Sequence, residues 1–139
     1  HIINNNKENS KLDWDIFLAP HHCSWTFFNN SNNKDEVESS ADTIMNHQIG
    51  NKAYLVTSSE EIKKNDDEQD PPNYKAKQEY LKRLNEKFRF LNTATDEILH
   101  DIPQPIVFKI DEHGKRKEVS TSSSGRSVTS RPAPRAGKD

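Results

Sequence analysis

Short apolar runs separated by long polar stretches set the pattern of this chain. Trp14-Asp15-Ile16-Phe17-Leu18-Ala19 is a compact run stopped by Pro20, and predicts a buried strand. Ala53-Tyr54-Leu55-Val56-Thr57, rich in β-branched and aromatic residues, predicts a second. Phe88-Arg89-Phe90-Leu91 alternates and gives a third, and Pro105-Ile106-Val107-Phe108-Lys109-Ile110 a fourth. The turn residues Asp111-Glu112-His113-Gly114 then return the chain through Lys115–Val119 as an edge hairpin. Helical spacing fills two of the gaps. Val37, Ala41, Ile44 and Met45 share one face, with Gly50 just beyond the end. A second helix is expected from Asp70 as N-cap and Pro71 as first helical residue. Lys77, Leu81, Leu84 and Phe88 form its inward face, flanked by Tyr74 and Tyr80.

This alternation predicts an α/β fold, with one β-sheet layer of four or five strands and helices covering one face only. The other face needs a second layer, which the short polar segment before Trp14 does not supply. The expected reading is half of a two-layer domain, with residues 1–119 as the folded part.

Composition sharpens the picture at the C-terminus. Of 139 residues, 30 % are hydrophobic and mean hydropathy is −1.07, close to the range where chains stay unfolded. The last twenty residues, 120–139, account for part of this, being Ser, Gly, Pro and Arg with little to bury, and are expected to be a disordered basic tail. The tail carries Arg126, Arg131, Arg135 and Lys138 against Asp139, whereas the whole chain has a formal charge of −2. Residues 1–119 are therefore acidic, a poor basis for gripping a phosphate backbone by charge alone. No apolar run approaches the roughly 18 residues of a membrane span, and nothing resembles a secretory leader. The single cysteine excludes a disulfide framework and fits a reducing, cytoplasmic setting.

The chemically informative stretch is Asp15-Ile16-Phe17-Leu18-Ala19-Pro20-His21-His22-Cys23-Ser24. It places two histidines, a thiol and a hydroxyl at the carboxyl end of a strand, where ligands bind in open α/β sheets. Neutral imidazole is the commonest zinc ligand. Taken alone, the same pair also reads as ordinary solvated histidines.

This run resembles the "strand, then P-H-H-G-S" motif of metallo-β-lactamase-fold hydrolases. It is most similar to the group containing the C-terminal domain of ComEC, the bacterial DNA-uptake protein, and its free-standing relatives. The resemblance continues in order over about 95 residues, Asp15 to Ile110. Ala53–Ser58 is similar to the family strand after the motif, and Asp70–Lys77 stands where its "G-H-P-H-P" helix begins. Phe88–Asn92 resembles the strand before its "R-T-D" turn, and Ile106–Ile110 its closing strand.

The resemblance implies the C-terminal half of an αββα sandwich and a zinc-dependent, dinuclear hydrolase acting on phosphodiester bonds of nucleic acids or nucleotides. By position, His22 is the implied metal ligand, with His21 beside it or in its place, and Ser24 orients the loop or substrate. Cys23 stands where the family has glycine, at a turn that favours positive φ. It either packs or approaches the metal. The family's H-x-H-x-D-H and later G-D occur nowhere in the chain, and its second histidine motif reads Asp70-Pro71-Pro72 here. A zinc site needs three or four protein ligands. The expected partner is thus a missing N-terminal half that carries the others, and no catalytic residue is assigned within this chain. The alternative is a non-catalytic, metallo-β-lactamase-like interaction module.

Other features carry less. His1, His47, His100 and His113 are scattered among polar residues and are expected at the surface. Asp66-Asp67-Glu68 with Asp70 lacks calcium-loop spacing and reads as a solvated charge run. Lys75, Lys77, Lys82, Arg83 and Lys87 make a basic helix surface interrupted by Glu79 and Glu86.

Overall fold

A computed structural model describes residues 12–31, 36–65, 71–112 and 114–118. The acidic run at 66–70 and the C-terminal tail lie outside the described residues, as do His1 and His113.

The apolar runs form a parallel sheet of three strands in chain order: β1 (Ile16–Leu18), β2 (Tyr54–Thr57) and β3 (Phe90–Asn92). Register aligns Phe17 with Leu55 and Leu55 with Phe90, so these three share one face. Each β-to-β connection carries a helix: α1 (Ser39–Asn46) leads to β2, and α2 (Tyr74–Arg83) to β3. Both pack on the Phe17–Leu55–Phe90 face. Ala41 and Met45 of α1, and Ala76 and Tyr80 of α2, are fully or almost fully buried in one cluster with Trp14, Trp25, Phe28, Leu55 and Phe90. The protein is therefore mixed α/β, with helices on one side of a small sheet.

Tyr80 is the centre of this core. Its ring lies 4.6 Å from Phe28, 5.5 Å from Phe27 and 6.4 Å from Phe17, centroid to centroid. Its hydroxyl is buried without a hydrogen-bond partner among the described residues. Arg83 ties the two helices together, its Nε donating to Asp42 at 2.6 Å and its Nη1 to Glu79 at 2.5 Å. Burial alone would raise the Glu79 carboxyl, but hydrogen bonds from Lys82 and Arg83 outweigh that and hold it below its ordinary value. The basic face expected on this helix is thus partly neutralised by its own glutamate.

Several expected boundaries are corrected. Helix α2 begins at Tyr74, with Asn73 in the N-cap position, rather than at Pro71. Pro71 precedes another proline, which pushes it out of the α region. The buried stripe of α2 is Ala76, Tyr80 and, just past its end, Leu84, rather than the stripe through Lys77 and Phe88. Phe88 is 69 % exposed, in a short 3₁₀ turn ahead of β3. Strand β1 is shorter than Trp14–Ala19, because the Trp14 backbone instead bonds His47 and Ile49 and its indole Nε1 donates to Ile44 O at 2.7 Å. Val37 precedes α1 and packs on the core from the loop.

The sheet is also smaller than expected. β6 (Val107–Asp111) pairs antiparallel with β7 (Gly114–Glu118), as the turn residues predict, but this hairpin stays separate from β1–β3 among the described residues. A two-stranded hairpin of β4 (Ile98–Leu99) and β5 (Ile102–Pro103) intervenes. His100 and Asp101, at φ 51° and 63°, form its tight turn. The β6–β7 hairpin is attached through Phe108, 5.1 Å from Tyr54, and through Lys117, which pairs with Glu97. Four of the five β6 side chains are exposed, so no alternating apolar face drives it into the sheet.

Tyr54 and Val56 point to the sheet face opposite the helices, as do Ile16 and Leu18, and Leu18 is 64 % exposed. No helix among the described residues is long and apolar enough to cross a membrane.

Candidate functional site: the histidine loop at the strand ends

The loop that leaves β1 carries every site residue read from the sequence. Pairing with β2 continues one residue past β1, through Ala19 N to Val56 O at 2.8 Å, and Pro20 then turns the chain. His21, His22 and Cys23 follow with φ of 49°, 57° and 67°. Three successive non-glycine residues in the left-handed region cost roughly 1–2 kcal/mol each. Such a turn persists only where its surroundings over-determine it.

Those surroundings are specific. Asn73, buried just ahead of α2, accepts at Oδ1 from Trp25 N at 2.8 Å, and its own N–H donates to Cys23 O at 3.0 Å. The side chain that stands at the N-cap of α2 is therefore spent on the histidine loop. Cys23 is fully buried, with Sγ 3.9 Å from Asn73 O. Burial pushes its thiol from the ordinary 9.0 up to about 12, against a lowering charge from Lys77 and a hydrogen bond with Thr57. It faces the core, away from the exposed imidazoles, and its protonated thiol is a poor metal ligand. Ser24, also buried, caps the 3₁₀ turn Trp25–Phe27, accepting from Thr26 N at 3.3 Å and from Thr26 Oγ1 at 3.1 Å. These bonds commit its oxygen to shaping the loop.

Cys23 gives a testable pH dependence. An unfolded thiol ionises near its ordinary value while the folded one keeps its proton, so its contribution to stability is intact below pH 9.0 and is lost as pH rises toward about 12. Native protein is expected to leave Cys23 unlabelled by iodoacetamide at pH 8. Urea midpoints should fall more steeply over that alkaline window in wild type than in Cys23→Ala.

His21 and His22 both stand exposed at the strand ends. His22 Nδ1 lies 2.5 Å from Ser58 O, the first residue after β2. A carbonyl oxygen only accepts, so Nδ1 carries the proton, and whenever the ring is neutral its lone pair lies on Nε2. This is the arrangement that orients metal-ligating histidines. The end of β3 joins the same rim: Asn92 Nδ2 donates to Ser59 Oγ at 3.0 Å and to Glu60 O at 2.9 Å, while Asp96 accepts from Asn92 N at 2.6 Å. The ends of β1 and β2 thus meet at His22, and the end of β3 is tied to the segment that follows β2.

Two adjoining hollows open there. One, of about 390 Å³, is lined by Leu18, His22 and Ser58 among others. The other, of about 690 Å³, lies between the loop and α1. Pro20, His21 and Pro71 wall both.

As a metal site the arrangement is incomplete. Among the described residues no three His, Cys, Asp or Glu side chains converge as a metal would require. His22 supplies one oriented nitrogen and His21 is its neighbour. His47 is remote from them in the fold, bonded through Nδ1 to Asp13 at 2.9 Å. Sequence reasoning missed Asn73 and the Ser58 carbonyl. Asn73 lies fifty residues from Cys23 and reads as an ordinary helix-start residue. Comparison with family models, with curated proteins and with solved structures finds no match.

Proposed function

We propose that this chain is the C-terminal half of a metallo-β-lactamase-like αββα sandwich. Together with an N-terminal half carrying the remaining ligands, it forms a zinc-dependent hydrolase of phosphodiester bonds in nucleic acids or nucleotides. The observation that carries the reading is the bond from His22 Nδ1 to Ser58 O, which leaves Nε2 as an oriented donor on an exposed ring. Three further features support it. The helices cover one sheet face, and on the other the edge residue Leu18 is 64 % exposed, although its neighbours Val56 and Leu91 are buried. The strained loop resembles the family motif in residue type and position, Cys23 occupying the positive-φ place of its glycine. Pro71, from the segment standing where the family has its second histidine motif, lines the same two hollows as His21.

The residues of this chain fit one ligand position and not a complete site, so no reaction step is derived through the metal. When bound, zinc supplies an activated water and Lewis acidity. The chain's own part is to hold His22 by Ser58, to place His21 beside it, and to keep the loop in shape through Asn73, Cys23 and Ser24.

The lack of a converging ligand set among the described residues favours a second reading, a non-catalytic module that scaffolds a partner. Metal analysis separates the two. The protein joined to its N-terminal half is expected to hold a dinuclear zinc site and to hydrolyse bis(p-nitrophenyl) phosphate, losing activity to EDTA and regaining it with zinc. The 139-residue chain alone is expected to lose its zinc on desalting. Stoichiometric, chelator-resistant zinc in that chain would contradict the half-site reading. A joined protein free of zinc and activity would favour the scaffold.

A further inference from the structure

The 690 Å³ hollow beside His21 lies within the size range of small-molecule sites. Its lining differs from that of a phosphate site. No Lys, Arg, Asp or Glu lines it among the described residues. On the α1 wall Ser40 Oγ donates to Glu38 Oε2 at 3.4 Å, which places a carboxylate unfavourable to an anion there.

What the hollow offers is flat apolar surface and neutral hydrogen-bonding groups. The ring of Phe27 and the prolines Pro20 and Pro71 provide the first. Phe27 is held in place by stacking on Tyr80 at 5.5 Å and an edge contact with Phe28 at 5.0 Å. The hydroxyls of Ser24, Thr26 and Ser40 provide the second. Ser24 Oγ accepts from Thr26 N, and the two hydroxyls bond to each other at 3.1 Å, so whichever of them donates, the pair keeps one proton to give and lone pairs to accept. Donor and acceptor therefore stand side by side, as the edge of a nucleobase requires. Pro20, His21 and Pro71 wall both hollows and His22 lines the smaller, so a ring in the larger one has His22 on the far side of that shared wall.

Resting on the hydrolase reading above, we propose that this hollow binds the uncharged base-and-sugar part of a nucleotide substrate, the phosphate lying toward His22. The hollow is thus a specificity pocket for nucleosides rather than an anion site.

The test needs neither zinc nor activity. Amide proton–nitrogen spectra of the 139-residue chain are recorded during titration with adenosine, with thymidine and with inorganic phosphate. Nucleosides are expected to shift the amides of Ser24, Thr26, Ser40 and Ala41 with saturation, and phosphate is expected to leave them in place. Thr26→Trp and Ser40→Phe, which fill the hollow from opposite walls, should each weaken nucleoside binding at least tenfold. If one variant fails to fold, the other decides. Absent shifts, equal shifts with phosphate, or unchanged binding in the folded variants would overturn the proposal. These outcomes leave the zinc measurement untouched, so the pocket and the hydrolase reading fail separately.

Discussion

Replacing His22 by Ala in the joined, zinc-loaded protein is expected to lower bound metal and to reduce phosphodiester hydrolysis by more than about 100-fold. That exceeds the roughly 10–100-fold typical of losing a group that only orients a ligand. Folding should survive. The ring is exposed, and the main loss is one hydrogen bond to Ser58 O, worth about 1 kcal/mol. His21→Ala should fall within the 10–100-fold range and keep its metal, since His21 is the neighbour of the donor rather than the donor. Zinc content by mass spectrometry, hydrolysis rates and urea midpoints for both variants check this. Metal and activity kept in His22→Ala but lost in His21→Ala would return the ligand role to His21.

The largest effect on stability is expected at Tyr80. Tyr80→Ala empties the centre of the core and should cost about 3–5 kcal/mol, a large share of the roughly 5–15 kcal/mol that holds a domain folded. Rings from three segments, Phe17, Phe27 and Phe28, lose their common contact. Tyr80→Phe keeps the ring and deletes only the hydroxyl that lacks a partner among the described residues. An unpaired buried hydroxyl carries a desolvation cost of about 1–3 kcal/mol, so this variant should match or exceed wild type. Urea unfolding of both reads the contrast. A stability loss in Tyr80→Phe comparable to that in Tyr80→Ala would show that the hydroxyl is hydrogen-bonded in solution.

Tyr80 also shows where the sequence was legible and where it was not. The three parallel strands were readable because each is an apolar run with β-branched or aromatic residues, and Leu55 and Phe90 then fall on one face. The stripe of α2 was misjudged because tyrosine is amphipathic and Phe88 is large and apolar; tertiary packing buries the first and exposes the second. The β6–β7 hairpin was found from its turn, which is local. Its separation from the sheet was not, because that depends on the β4–β5 insertion and on a strand with too little apolar surface to dock. At the site, two histidines after a strand-ending proline were visible at once. The left-handed run through Cys23 and its anchoring by Asn73 were not, since both depend on contacts between segments fifty residues apart.

The central claim is that His22 presents Nε2 to a metal while Nδ1 is held by Ser58. Long-range proton–nitrogen spectra of the imidazoles of this chain at pH 8, before and after zinc, test it most directly. The expected result is a protonated Nδ1 on His22 throughout, with the Nε2 resonance alone moving as zinc is added. A His22 ring protonated at Nε2, or one unmoved by zinc while His21 responds, would contradict the account.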